Sequence, residues 1–240
     1  MKKITTFFTA LLLISSSLMQ AQTLEDILNE HFAATGQDSI LKVQTEKFIG
    51  KMVQGGLEIP FIQMAKRPDK VRVQGTFQDL TFIQTYDGSQ GWNLNPFAGS
   101  TEAQPMSEDE LKAMKYQSDI DGMLWDWKDK GYKVTYEGKD DMEGTPCYKI
   151  KVETPEGDSF TYYIDADSYI LLRTNSRIKV MGNETQGDSY YSNYMQVNGI
   201  AVPGKIENKV NDQVAGTIII DTVRLNIQIP DSLFGKPGKK

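Results

Sequence analysis

Apolar positions recur along the chain with two periods, and each predicts a different element. Leu24, Ile27, Leu28 and Phe32 fall at i, i+3, i+4 and i+8, the single stripe of an amphipathic helix. Thr23 stands where a helix N-cap is needed, Asp26 follows three positions on, and Gly36 is a natural stop. His31 lies beside that stripe and reads as a partly exposed helix histidine. Beyond it the period shortens to two. Lys47–Val53, Leu57–Ala65, Lys70–Phe77, Leu80–Tyr86 and Gly91–Leu94 are divided by Gly, Pro and Asp and predict strands. Val71, Val73 and Phe77 alternate with Arg72, Gln74 and Thr76, giving one dry and one wet face. Leu57–Met64 differs: Ile59, Phe61, Ile62 and Met64 put apolar groups on both faces, as do Phe82 and Ile83. Such strands need cover on both sides, whether core, ligand or another element.

The middle of the chain offers that cover. Ser107-Glu108-Asp109-Glu110 is a capping box opening a helix that carries Leu111 and Met114 on one side. A second helix is predicted from Asp119 to Lys130, where Ile120, Met123, Leu124 and Trp127 fall at i, i+3, i+4 and i+7. Gly122 weakens it by about 1 kcal/mol relative to Ala, so packing rather than propensity would hold it. After Gly131 strands resume: Tyr132, Val134 and Tyr136 alternate, as do Tyr148, Ile150 and Val152, then Phe160, Tyr162 and Ile164. Pro155–Asp158, Asp165–Ser168 and Asn198-Gly199 read as hairpin turns. Val214–Ile220 and Val223–Ile229 close the chain as two strands, and Gly235–Lys240 reads as a frayed basic tail. The sum is about eleven strands and two helical regions in one domain, 22–240, an antiparallel meander that is flat or curled toward a barrel.

Composition narrows the function. The chain has 240 residues, 26 Lys+Arg against 32 Asp+Glu, one Cys and one His. An acidic chain without a basic block is a poor nucleic-acid binder, because that affinity rests on phosphate neutralisation. One Cys makes no internal disulfide, and a Cys/His zinc site needs more ligands than are present. Residues 1–21 have a basic start (Lys2, Lys3), a short apolar run (Ile4–Ile14) and small residues leading to Ala21, the layout of a secretory signal cleaved after Ala21. No Cys follows the apolar run, so the mature N-terminus carries no lipidation site. The expectation is an exported, periplasmic protein.

Enzyme signatures are missing: there is no G-x-S-x-G elbow, P-loop, G-x-G-x-x-G or H-E-x-x-H. Asp119 with Asp121, and Asp165 with Asp167, resemble fragments of calcium loops but do not continue into the twelve-residue pattern, and read as turn and cap carboxylates. Cys147 reads as a small buried hydrophobe. A glycosidase could place two carboxylates in a barrel without a sequence signature.

Residues 64–99 carry a resemblance. Lys66-Arg67-Pro68 ends one strand, Asp87-Gly88 makes a turn, and Trp92 to Pro96-Phe97 follows. In this order the three landmarks resemble the periplasmic outer-membrane lipoprotein carriers, the LolA/LolB-like family. The resemblance implies a single antiparallel sheet curled into an unclosed half-barrel, mainly β, with helices over the concave side. It implies an apolar interior that receives lipoprotein acyl chains, here Ile59, Phe61, Met64, Val73, Phe82 and Trp92. The lid would be formed by Leu111, Met114, Ile120, Met123, Leu124 and Trp127, with Arg67 as its latch. The Asp119–Lys130 stretch departs from the family pattern. The implied protein is a monomeric, non-enzymatic carrier without metal or cofactor. Its partners would be acylated lipoproteins or other lipids, an inner-membrane release complex and an outer-membrane acceptor. The alternative on the same fold is a periplasmic sensor that binds a regulatory protein or mislocalised lipoprotein.

Overall fold

Thr23 and Asp26 form a reciprocal capping box at the start of the first helix, and Gly36 ends it in the left-handed conformation at φ 79°. The computed structural model describes residues 22–238, so the signal segment expected at 1–21 lies outside the described residues. In chain order the elements are α1 (Leu24–Thr35), α2 (Gln37–Ile40), β1 (Thr45–Gln54), β2 (Leu57–Lys66), β3 (Lys70–Phe77), β4 (Leu80–Tyr86), β5 (Gly91–Leu94), β6 (Gln104–Pro105) and α3 (Glu108–Ser118). They continue with β7 (Lys133–Met142), β8 (Thr145–Glu153), β9 (Ser159–Asp165), β10 (Leu171–Val180), β11 (Asn183–Ser192), β12 (Met195–Val197), β13 (Ile200–Val202), β14 (Lys205–Val210) and β15 (Gln213–Leu225).

Thirteen strands form one antiparallel sheet in the order β6-β5-β4-β3-β2-β1-β15-β14-β11-β10-β9-β8-β7. Its terminal strands, β6 and β7, do not pair with one another, so the curled sheet stays an open half-barrel. β12 and β13 form a separate ribbon joined by Asn198-Gly199, both at positive φ as a tight two-residue hairpin turn requires. The strand count therefore exceeds the eleven expected. The two closing strands are one, β15, which bulges opposite Ile49 and Gly50 of β1. The bulge carries β15 through a position where period-two reading breaks it in two.

The second predicted helix does not form. Residues 119–131 are a succession of turns, with Gly122 at φ 78° and Asp126 at φ 47°. Each left-handed residue ends a helical turn as it begins, while the apolar spacing, which successive turns satisfy equally well, is kept. The described part of the C-terminal tail, as far as Gly238, is also not frayed, while Lys239 and Lys240 lie outside the described residues. Residues 226–237 lie along the outer face of β1–β5: Arg72 donates to the Leu233 carbonyl, Thr85 to that of Gly235 and Lys66 to that of Ile229. Ile229 and Phe234 are buried against Met64. This is the outer cover that the two-faced strands require.

The main core lies on the concave side. Ile27 and Leu28 of α1 pack with Met123 and Leu124 against Val134, Tyr148, Ile150, Val152, Phe160 and Ile164 of β7–β9. The β12–β13 ribbon packs Ile200 and Val202 onto Val43, with Phe48 and Val223 beside them. His31 is buried, contrary to expectation, because Nδ1 donates to the Tyr169 carbonyl at 2.8 Å and fastens α1 to the β9–β10 turn. Burial lowers its pKa despite that carbonyl.

Gly50 sits where the bulge brings β15 close: a Cβ there would lie 1.9 Å from the Ile219 carbonyl oxygen. Gly50→Ala is expected to destabilise the fold by about 1–3 kcal/mol, since a backbone atom must move. Urea denaturation of the variant beside the parent checks this.

Candidate functional site

The register of the sheet aligns apolar side chains on its concave face. Ile59 pairs with Met52, Met52 with Ile218, Ile218 with Ile206 and Ile206 with Tyr191, a row five strands wide. Beside it, Phe61 pairs with Gly75 and Gly75 with Phe82. Gly75 has no side chain, and the Phe82 ring occupies that space: a Cβ would lie 2.4 Å from the ring. Ile59, Met52, Ile218, Ile206 and Phe82 are each half-buried. Burial raises the phenol pKa values of Tyr162 and Tyr191 on the same face, as a low-dielectric surrounding does.

Alternation along the strands sorts the candidate cavity residues. Ile59, Phe61, Val73 and Phe82 lie on the concave face. Met64 and Trp92 lie on the outer face, and their assignment to the cavity is corrected. Met64 packs under Ile229 and Phe234, and Trp92 has the Lys236 ammonium 4.9 Å from its ring centroid. Both belong to the second apolar set of the two-faced strands, whose cover is the C-terminal segment. A hollow of about 870 Å³ opens on this outer side, among Ile83, Leu94, Pro96, Ala103 and Lys236.

The residues expected of a lid all lie on the concave side, in two parts. Leu111 and Met114 of α3 pack on Ala65, Val71, Tyr86 and Met106. Ile120 bridges that cluster to the one around Val43, while Met123 and Leu124 join the α1 core with Trp127 partly buried beside it. Trp125 packs edge-on against Phe32 of α1 at 5.1 Å.

Charged contacts hold this cover. Arg67, at the end of β2, donates through Nη1 and Nη2 to both oxygens of Asp121 at 2.6 and 2.5 Å, through Nε to the Val43 carbonyl at 2.5 Å, and through Nη2 to the Ile40 carbonyl at 3.2 Å. The guanidinium thus ties α2, the loop into β1 and the 119–131 turns together in a bidentate fork. Lys130 closes the turns on themselves by donating to Asp119 at 2.7 Å and to the Gly122 carbonyl at 2.8 Å. α3 has a different anchor. Asp158, wholly buried in the β8–β9 turn, accepts from Tyr116, from the Lys179 N–H and from Lys112. Burial alone would raise its pKa; these donors outweigh that and hold the carboxyl below its ordinary value. At its N-terminal end α3 is bound to β5 by Asn93 donating to Glu110.

Asp121, Asp158 and Lys112 carry these anchors and were not singled out from the sequence as such. Asp121 and Asp158 do appear there as turn carboxylates; nothing local marks them as long-range partners. A further residue, Glu46, lies on the concave face diagonally across β1–β2 from Arg67, for Glu46 pairs with Ala65 and Arg67 N–H donates to the Gln44 carbonyl. Burial raises its carboxyl to about 7 against the pull of Arg67.

No family model matches the chain, and no curated protein matches it. Solved structures do. A DUF1329 family protein from Desulfovibrio piger superposes with TM-score 0.60 at 14 % identity, covering 87 % of this chain and 97 % of that one. A LolA superfamily protein from Nitrosomonas europaea gives 0.60 at 12 %, covering 90 % and 99 %. A putative outer membrane lipoprotein-sorting protein domain from Vibrio parahaemolyticus gives 0.57 at 10 %, covering 87 % and 97 %. At these identities the likeness is one of fold: the chain has the LolA-like open half-barrel.

Glu46 yields a pH prediction. Its folded pKa lies above its unfolded value, so the folded state holds the extra proton between about 4.5 and 7. Its stability contribution is therefore intact below about 4.5 and declines as pH rises through 7. Glu46→Gln removes the penalty and is expected to stabilise the protein at pH 8 by about 3 kcal/mol, with little effect at pH 4.5. Denaturant midpoints at the two pH values check it.

Proposed function

We propose that the protein is a non-enzymatic carrier of acyl chains, those of lipoproteins or of other lipids, held on the concave face of the half-barrel. The observation that carries this reading is the apolar row Ile59–Met52–Ile218–Ile206, half-buried on the concave face of the open sheet toward its rim, while the 119–131 cover, fastened by one arginine fork, lies toward the other end of β2. The residues assigned to bind the chain are Ile59, Phe61, Val73 and Phe82, with Met52, Ile206 and Ile218 added by the register. The 119–131 turns are the moving part and Arg67 with Asp121 is their latch. Export to the periplasm is part of this proposal and rests on the signal segment expected at 1–21. No described helix is long and apolar enough to cross a membrane.

The physics suits reversible transfer. Each methylene taken from water gains about 0.8 kcal/mol. Between a membrane and an apolar trough that gain nearly cancels. The cost of lifting the cover then sets the direction, and a partly exposed ion pair supplies a small cost. The Arg67 and Asp121 side chains are 21 % and 19 % exposed.

Two measurements test the reading. Native mass spectrometry after mild purification should show bound lipid, and a fluorescent fatty acid should be taken up by delipidated protein. Absence of both sinks it. Arg67→Leu removes the latch, so the cover opposes cargo less. The variant should retain the fluorescent acid roughly tenfold more tightly, equivalent to about 1.4 kcal/mol. Equal retention in variant and parent removes the latch role.

A further inference from the structure

Among the described residues, the large apolar side chains left exposed all sit at one end of the sheet. Leu57 is at the β1–β2 tip and Leu80 at the β3–β4 tip, 50 % and 45 % exposed. Val180 and Met181 form the β10–β11 tip, where Met181 is 86 % exposed although its N–H is fixed by the Asp109 carboxylate of α3. Val210 and Val214 flank the β14–β15 tip, and Phe97 follows β5 at the same end. The opposite end, with the turns at 67–69, 87–90 and 165–170, carries none of them. Their gathering at one rim, with none at the other end, is the observation that points to an interaction there.

We propose that this rim docks the protein on a lipid bilayer, placing the open end of the half-barrel against the acyl region. The proposal rests on the carrier reading and names the surface from which cargo is drawn or to which it is given. Two features favour a bilayer over a protein. First, the anchors are separate, on hairpins two strand spacings apart, roughly 10 Å. A fluid layer fills the gaps between them, whereas a protein partner would need matching relief. Second, they continue the concave apolar face: Leu57 stands two residues beyond Ile59, Leu80 two before Phe82 and Val180 two beyond Ile178, each on the same face of its strand. A chain leaving a bilayer would meet apolar side chains from rim to trough. Charges of both signs lie at the tips, Asp79 and Asp212 against Lys179 and Lys209. Insertion rather than attraction to anionic lipid is therefore the mode expected.

The test is flotation of the mature protein with phosphatidylcholine vesicles at low and high salt, beside a variant carrying Leu57→Ser, Leu80→Ser, Met181→Ser and Val214→Ser. The parent should float, equally at both salt concentrations, and the variant at least tenfold less, with an unchanged melting temperature. A parent that stays in solution overturns the proposal, as does a variant that floats equally. A parent dimer that the variant converts to monomer, without flotation, overturns it in favour of a second copy as the occupant. Uptake of the fluorescent acid in vesicle-free buffer separates the two readings. Normal uptake without flotation sinks docking alone; flotation with neither uptake nor bound lipid in native mass spectrometry leaves docking standing and sinks the carrier.

Discussion

An apolar face on an unclosed sheet must be covered, and in this protein charge fastens the cover. The Arg67–Asp121 fork joins β2 to a run of turns that has no regular backbone ladder to hold it. One guanidinium also satisfies the carbonyls of Val43 and Ile40. If it is removed, two backbone acceptors and a carboxylate lose their donor together. The 119–131 turns are held over the concave face by this group together with the packing of Met123 and Leu124 against α1.

The two halves of the cover are anchored with different strength. α3 is tied through Asp158, which is wholly buried and accepts from three donors. Breaking a buried pair of this kind costs about 3–5 kcal/mol. The 119–131 turns are tied through a pair that water still reaches, for which the cost is smaller. α3 and the 119–131 turns are thus anchored through separate charged groups, Asp158 with Lys112 and Arg67 with Asp121. Glu46 adds an opposing element, since a carboxyl pushed up by burial sits within reach of the arginine that Asp121 occupies.

The sheet solves its two faces differently. Outside, Met64, Trp92 and Ile62 are covered permanently by chain that follows β15, with Phe234 wholly buried. Inside, the row from Ile59 to Ile206 keeps part of its surface accessible. The outer face is covered over Ile62 and Met64 and keeps a hollow of about 870 Å³ beside Ile83 and Leu94, while the inner face keeps apolar surface partly accessible. The apolar tips at the open rim extend that inner surface to the edge of the molecule.

Local physics was legible in the sequence. The capping boxes at Thr23 and Ser107, the left-handed stop at Gly36, the Asn198-Gly199 hairpin and the strands Lys70–Phe77, Leu80–Tyr86 and Gly91–Leu94 each depend on a few neighbouring residues, and they fold as those residues predict. The landmarks at 66–97 carried the fold class. What waited for the tertiary structure was every question of which side. Period two says that Met64 and Phe61 point oppositely, but not which of them faces the concave side. That was decided by the C-terminal segment, which folds back over the outer face instead of continuing as a strand. The helical spacing of Ile120, Met123, Leu124 and Trp127 marked a buried stripe truly and its backbone wrongly, because contacts with α1 and the Arg67 fork outweigh weak local propensity. Asp121 and Asp158 could be seen as carboxylates in turns, while their partners lie 54 and 46 residues away in the chain. No local pattern spans such distances, and only the closing of the sheet brings them together.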